Sequence, residues 1–409
     1  MPVPLRVPHP LQDADLCVQC GLCLPHCPTY RVTRDENESP RGRIQLMRAY
    51  ARGQLPLTPR FEGHLDRCLA CRACETVCPA RVPFGTLLDA TRALIVSSRG
   101  RSRRRRLMDL VARPARLAAA LRLARLYQRS GLRFLARGAG VLSVLGLKRL
   151  DTALPELPRL HAWKPYYPAD GRARGEVSLF LGCVARTFDQ ETIDAAIFVL
   201  NRYGYGVHVP DGQTCCGALH GHAGDPATAQ DLAHDNRRAF AGTPGPALFL
   251  ASGCGATLIE YQPSFAARDF CEFLAAIPDT PFPRVDPPLR VAVHMPCTQR
   301  NVLRNTDSVF ALLRRVAGLD VLPLEENNVC CGGAGTYFLD QPAIADRLRD
   351  DKLSAIERAG TRTVLTTNIG CALHLRAGLR GRVPGVEVIH PAVLLRRTIE
   401  TRAPAGTTT

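Results

Sequence analysis

The sequence predicts a multidomain α/β chain: a helical N-terminal unit, a basic helical segment, and a βαβ unit present twice. Three observations carry this. Residues 1–98 hold eight cysteines in two runs of identical spacing. A different cysteine pattern then occurs twice, at an offset of about 115 residues, which is the mark of an internal duplication. Within each copy, short apolar runs alternate with helical stretches, the pattern of parallel βαβ units.

The 409 residues exceed one ordinary core, so several domains are expected. The boundaries predicted are 1–98, 99–172, 173–285 and 286–400, with a small polar tail from Arg402 to Thr409. No run of about 18 apolar residues marks a membrane span. The N-terminus, broken by Pro2, Pro4, Pro8 and Pro10, lacks the apolar stretch of a secretory signal. Seventeen cysteines without an export signal read as metal-binding or redox-active thiols of a reducing cytoplasm, not as a disulfide framework.

The N-terminal runs are Cys17-x2-Cys20-x2-Cys23-x3-Cys27-Pro28 and Cys68-x2-Cys71-x2-Cys74-x3-Cys78-Pro79. This is the bacterial two-cluster ferredoxin spacing, twice over. Three cysteines two residues apart wrap around three corners of a cubane. The fourth points away and completes the other cube. On that logic Cys17, Cys20, Cys23 and Cys78 hold one [4Fe–4S] cluster, and Cys68, Cys71, Cys74 and Cys27 hold the second. Structural zinc prefers two separated ligand pairs and fits these runs badly. Between the runs, Pro40–Arg52 reads as a helix with Ile44, Met47 and Ala51 on one face, which favours an α-helical ferredoxin unit over the small β-rich form. Arg41 and Arg43 are candidates to offset cluster charge, against the alternative of a solvated helix face.

The basic segment comes next. Between Arg99 and Leu150 lie fifteen Lys or Arg and one acid, Asp109, so nearly all of the formal +16 sits there. Leu117, Leu121, Leu123, Ala124, Tyr127, Leu132, Leu135 and Val141 alternate with Arg116, Arg122, Arg125, Arg129, Arg133 and Arg137 at near-helical spacing. Such faces suit an anionic membrane surface or an acidic partner. No aromatic platform accompanies the arginines, which argues against nucleic acid. Pro155, Pro158, Pro165 and Pro168 mark the linker that follows.

In the duplicated unit the cysteines are Cys183, Cys215-Cys216-Gly217 and Cys254, then Cys297, Cys330-Cys331-Gly332 and Cys371. Strands are expected at Val177–Leu181, Gly206–Val209 and Ala247–Leu250, and at Leu289–Val293, Leu319–Leu322 and Thr363–Thr366. Helices are expected at Thr192–Tyr203 and Asp307–Ala317. The cysteines fall at strand ends or in loops, where ligands gather on parallel sheets. Each set of four thiols is a candidate further iron–sulfur or zinc site, a dithiol pair, or packing. His294, His220 and His222 are candidate auxiliary ligands, and Cys271 reads as a buried small hydrophobe. Gly332-Gly-Ala-Gly335 does not fit a dinucleotide loop, so flavin chemistry is expected in a partner.

The order Cys…Cys-Cys-Gly…Cys resembles the cysteine-rich domain of heterodisulfide reductase. Joined to the two ferredoxin runs, residues 13–395 resemble the iron–sulfur subunit of bacterial glycolate oxidase. The strings that carry this are Ser39-Pro-Arg-Gly-Arg-Ile44, His64-Leu-Asp-Arg-Cys68, Ser252-Gly-Cys-Gly-Ala256, Cys330-Cys-Gly-Gly-Ala-Gly-Thr-Tyr337 and Asn368-Ile-Gly-Cys371. The resemblance implies an electron-transfer subunit of a 2-hydroxy-acid oxidoreductase. FAD would sit only in partner subunits, and electrons would move toward a respiratory or quinone-side acceptor, with the chain cytoplasmic or peripheral on the inner membrane. Related lactate and glycerol-3-phosphate dehydrogenase subunits are the alternatives. The heterodisulfide reductase pattern has a fifth cysteine per copy. Here one cysteine stands in Ala251-Ser-Gly-Cys254 and one in Asn368-Ile-Gly-Cys371, which argues against disulfide-cleaving chemistry.

Overall fold

The computed structural model describes residues 9–99, 103–138, 161–261, 265–278 and 282–401, with the isolated positions 142, 151 and 157. Val141, Pro155, Pro158 and the tail from Arg402 lie outside the described residues.

The N-terminal unit is helical, with no strand before Tyr166 among the described residues. Its helices begin where local chemistry lets them. Pro40 and Pro59 occupy first positions, where a missing N–H costs nothing. The preceding side chains cap them: Ser39 accepts from the Gly42 amide and Thr58 from the Phe61 amide. Helix Pro40–Ala51 turns Ile44 and Met47 inward to meet Leu11, Phe61, Leu65, Leu87 and Leu88, while Ala51 is half-buried. Helix Phe84–Arg99 leads out toward the basic helices Arg103–Ala112, Pro114–Arg129 and Leu132–Gly138.

Two parallel sheets follow. In the first, β2 (Gly175–Phe180) lies between β3 (Tyr205–His208) and β4 (Ala247–Phe249), and β5 (Ala267–Asp269) pairs with β4. A short β1 (Tyr166–Tyr167) runs antiparallel along β3. In the second, β6 (Leu289–Val293) lies between β7 (Leu319–Pro323) and β8 (Thr363–Leu365), and β9 (Glu387–Ile389) pairs with β8. Leaving β1 aside, the two sheets share one strand order. β5 and β9, and the long helix Pro342–Ala359, were not singled out in the sequence. β5 and β9 are three-residue strands, too short to show a period.

The copies share one core and exchange helices across it. Helix Gln190–Arg202 of the first copy packs on Pro391–Glu400 of the second, and Phe270–Ala275 of the first packs on Thr306–Arg314 of the second. Val177, Leu179, Ile193 and Leu248 thus join Val291, Leu313, Val364 and Leu395 in one apolar cluster. Cys271 is part of it, as a small apolar side chain.

Candidate metal centres

The two N-terminal runs fold alike because both use left-handed backbone around their middle cysteine. Gln19 and Gly21 flank Cys20 with φ of 61° and 83°, and Ala70 and Arg72 flank Cys71 with φ of 51° and 56°. Each reversal turns the chain back on itself. Three of these four residues carry a side chain, so the conformation stores strain, of the kind found at functional sites.

The structure brings Cys27 out of its own run. One pocket is lined by Cys27 together with Cys68, Cys71 and Cys74, and closed by Arg43 and Phe84. Cys17 and Cys78 pack against the core of the same unit. Cys23 lies within electrostatic reach of Cys17 and receives the Arg41 amide, while Cys20 is exposed. Burial pushes the Cys23 thiol up to about 11 and the Cys71 and Cys74 thiols well above the ordinary range.

Arg43 is not on a solvated face. Its guanidinium is fully buried at the wall of the Cys27 pocket. Nε donates to the His64 carbonyl at 2.7 Å, Nη1 to Thr29 Oγ1 at 3.1 Å, and Nη2 to Glu38 Oε2 at 2.6 Å. Glu38 Oε1 also meets His64 Nδ1 and Arg67 Nη1, each at 2.7 Å. Burial opposes the Arg43 charge, but Cys68, Cys27 and Glu38 beside it hold its pKa above the usual value. A buried charge is tolerated when paired and hydrogen-bonded. Arg41 remains at the surface on Glu36. His64 and Arg67 stand in one of the strings that carry the resemblance, but their pairing with Glu38 was not readable, because the partners lie 5 to 29 residues away in sequence.

Each cysteine-rich copy gathers its four thiols through the same turn. Gly217 and Gly332 both have φ of +87°. A Cβ there would lie 3.0 Å from the Ala229 carbonyl oxygen in the first copy and 2.6 Å from that of Ala345 in the second. Only glycine combines that dihedral with that approach, hence Cys-Cys-Gly in both. In the first copy Cys183 pairs with Cys215, Cys215 with Cys216, and Cys216 with Cys254. The Cys183 and Cys216 thiols donate to Cys215 and draw it well below the ordinary thiol range. In the second copy Cys297 Sγ is 3.9 Å from Cys330 Sγ, and Cys331 links Cys330 to Cys371. Here burial and neighbouring thiols leave all four raised.

The three histidines part company. His294 is buried and has a ring nitrogen within 4.8 Å of both Cys331 and Cys371 Sγ. His220 is buried on Asp109 at 3.1 Å. His222 is half-exposed and pairs with Asp89 at 3.0 Å.

The second copy also abuts the Cys27 pocket. Cys71 lies within electrostatic reach of Cys297 and Cys330. Asn301 Nδ2 donates to the Cys71 carbonyl at 2.7 Å, and Tyr337 OH to the Arg67 carbonyl at 2.9 Å. The first copy touches the N-terminal unit by another route. Arg92 donates to the carbonyls of Leu65 and Cys68 in its own unit and to that of His222 in the first copy, while the Cys215 amide donates to the Ala112 carbonyl of the basic helices.

The basic helices present two faces. Leu117 and Leu121 are buried, while Leu123 and Phe134 are 70% and 81% exposed and Leu126, Leu132 and Leu135 are exposed beside them. No helix among the described residues is long and apolar enough to cross a membrane.

Comparison with known proteins assigns families to these regions. Residues 13–82 match the 4Fe-4S dicluster domain, and residues 177–259 and 291–376 each match the cysteine-rich domain. Residues 100–154 match the linker region of glycolate oxidase iron-sulfur subunits. The chain is 33% identical to the probable glycolate oxidase iron-sulfur subunit of Bacillus subtilis over 93% of its length and 92% of that protein's. It is 32% identical to the glycolate oxidase iron-sulfur subunit of Escherichia coli over 92% of its length and 93% of that protein's. Lactate utilization protein A of Shouchella clausii is 28% identical over 54% of this chain and 98% of its own.

Proposed function

Because the chain belongs to the family of glycolate oxidase iron-sulfur subunits, we propose that it relays electrons within a flavin-dependent glycolate-oxidising complex. The observation that carries this reading is the continuous line of thiol groups. Cys23 lies within electrostatic reach of Cys17 and of Cys27, Cys27 shares its pocket with Cys68, Cys71 and Cys74, and Cys71 lies within reach of Cys297 and Cys330.

The residues fit two [4Fe–4S] clusters. Four thiols line the pocket containing Cys27, the left-handed turns curl the chain around each middle cysteine, and Arg43 supplies a buried positive charge. Bound there, such clusters accept and release single electrons. Cys27 would bind with Cys68, Cys71 and Cys74, and Cys78 with Cys17, Cys20 and Cys23. Glycolate loses two electrons and two protons on becoming glyoxylate, and a flavin converts that pair into single-electron steps. The FAD would therefore belong to partner subunits. Arg43 and its hydrogen bonds exclude water from one wall of the pocket and hold its charge in place as electrons arrive.

The exposed Leu123, Leu126, Phe134 and Leu135, set among arginines, suit the anionic cytoplasmic face of a membrane, near a quinone-side acceptor. Lactate is the second reading, through the lactate utilization relatives; the match of residues 100–154 to the glycolate oxidase linker favours glycolate.

The test is reconstitution with the flavin-containing subunits and a dye acceptor, comparing glycolate, D-lactate and glycerol 3-phosphate. Glycolate should support the fastest dye reduction, and only with the flavoprotein present. Turnover of glycolate by the isolated chain would refute the relay.

A further inference from the structure

The two ferredoxin runs share one spacing, but they differ just past the fourth cysteine. The first reads Cys27-Pro28-Thr29 and the second Cys78-Pro79-Ala80. The residue two places beyond the cysteine thus carries a hydroxyl in one run and only a methyl group in the other. Thr29 is buried and lines the pocket of Cys27, Cys68, Cys71 and Cys74. Its Oγ1 stands 3.2 Å from Cys27 Sγ, donates to the Glu38 carbonyl at 2.9 Å, and accepts from Arg43 Nη1 at 3.1 Å.

We propose that Thr29, held by Arg43, is a positioning residue that donates a hydrogen bond to the Cys27 thiolate and so raises the reduction potential of the [4Fe–4S] cluster of Cys27, Cys68, Cys71 and Cys74. The inference rests on the two-cluster reading above and is independent of which substrate the complex oxidises.

The hydrogen-bond inventory carries the argument. As a free thiol, Cys27 has a proton of its own, directed at the Glu38 carbonyl at 3.6 Å. Binding iron removes that proton, and the sulfur can then only accept. Thr29 Oγ1 is the hydroxyl placed to donate to it. When the hydroxyl turns to the sulfur, the Glu38 carbonyl keeps its bond from Arg43 Nη1, so no buried acceptor is orphaned. The guanidinium, by donating to Thr29 Oγ1, polarises the hydroxyl and makes it a stronger donor.

An arriving electron adds negative charge to the cluster. Hydrogen bonds to its sulfurs and nearby positive charge favour the reduced form, and both act more strongly where water is excluded. Burial by itself disfavours the added charge, and the wall of Thr29 and Arg43 offsets that. The other set of thiols is built differently. Gln19 Nε2 donates to Cys17 Sγ at 3.1 Å, but it is a neutral amide beside the exposed Cys20, and the Arg41 charge is paired with Glu36 at the surface. Ala80 offers Cys78 no hydroxyl.

The experiment uses the full chain, purified anaerobically, with no substrate or partner present. Iron is counted, and the potential of each cluster is read by electron paramagnetic resonance during a redox titration. Two potentials and about eight iron per chain are expected. Thr29→Val keeps the shape and removes the hydroxyl. It should lower one potential by about 59 mV, which is about tenfold in a one-electron equilibrium, and leave the other in place. Thr29→Ser should restore that potential, Arg43→Gln should lower the same one, and Gln19→Leu should lower the other. Unchanged potentials in Thr29→Val would overturn the inference, as would Thr29→Val and Gln19→Leu moving the same potential. Loss of about four iron in Thr29→Val would give the hydroxyl a structural role instead and overturn it too. Fewer than about eight iron in the unaltered chain would overturn the two-cluster reading itself, and this inference with it.

Discussion

The two cysteine-rich copies have the same strand order, the same thiol succession and the same left-handed glycine, yet they face different neighbours. The C-terminal copy meets the Cys27 pocket through Asn301 and Tyr337, and has His294 and Lys352 beside its thiols. The N-terminal copy meets the basic helices through Asp109 and Ala112, with Phe180, Phe249 and Tyr261 around its thiols. The difference teaches that the turn is what duplication had to preserve. A Cys-Cys-Gly turn is a local solution and copies intact, while the chemistry around it depends on which surface each copy meets.

The largest effect is expected where the C-terminal copy meets the N-terminal unit. Cys27→Ser should cut dye reduction in the reconstituted complex by at least about a hundredfold, more than losing an outer partner of a metal site costs. Spectroscopy should show the cluster of Cys68, Cys71 and Cys74 perturbed, with flavin reduction by substrate intact. If only the Cys17, Cys20 and Cys23 cluster changes, the crossed arrangement is wrong.

A smaller effect separates the copies themselves. Gly332→Ala forces a Cβ to 2.6 Å from a backbone oxygen, while Gly217→Ala meets its counterpart at 3.0 Å. Both incur the left-handed penalty of about 1–2 kcal/mol. The C-terminal copy should lose about 2 kcal/mol more than that from the clash, in the range of overpacked sites. Thermal unfolding of the two variants measures the difference, and equal losses would mean the copies are equally tight.

The smallest effect on stability belongs to the basic helices beside the N-terminal copy. Leu123→Glu with Phe134→Glu alters exposed positions, so stability should move by no more than about 0.5 kcal/mol per site. Binding to anionic vesicles should nevertheless be lost, read by co-sedimentation. Undiminished vesicle binding would remove these side chains from any membrane contact.

Much of this was legible in the residues. Strands such as Ala247–Phe249 stand out because a strand buried on both faces is a continuous apolar run. The helix over Pro40–Ala51 follows from Pro40, the Ser39 cap and the spacing of Ile44 and Met47. Histidine roles were not legible: His220, His222 and His294 are indistinguishable in sequence, and their surroundings come from elements up to 133 residues away.

The sequence by itself determined what acts over a few residues: the cysteine spacing, the glycine each turn requires, the helix caps, and the concentration of arginine after residue 98. Tertiary structure alone decided what acts across the chain. It buried Arg43 against Glu38 and set Cys71 against Cys297. The physical reason is range. Dihedral preference and period are properties of a segment, whereas burial and electrostatic pairing depend on which distant surfaces the packed core brings together.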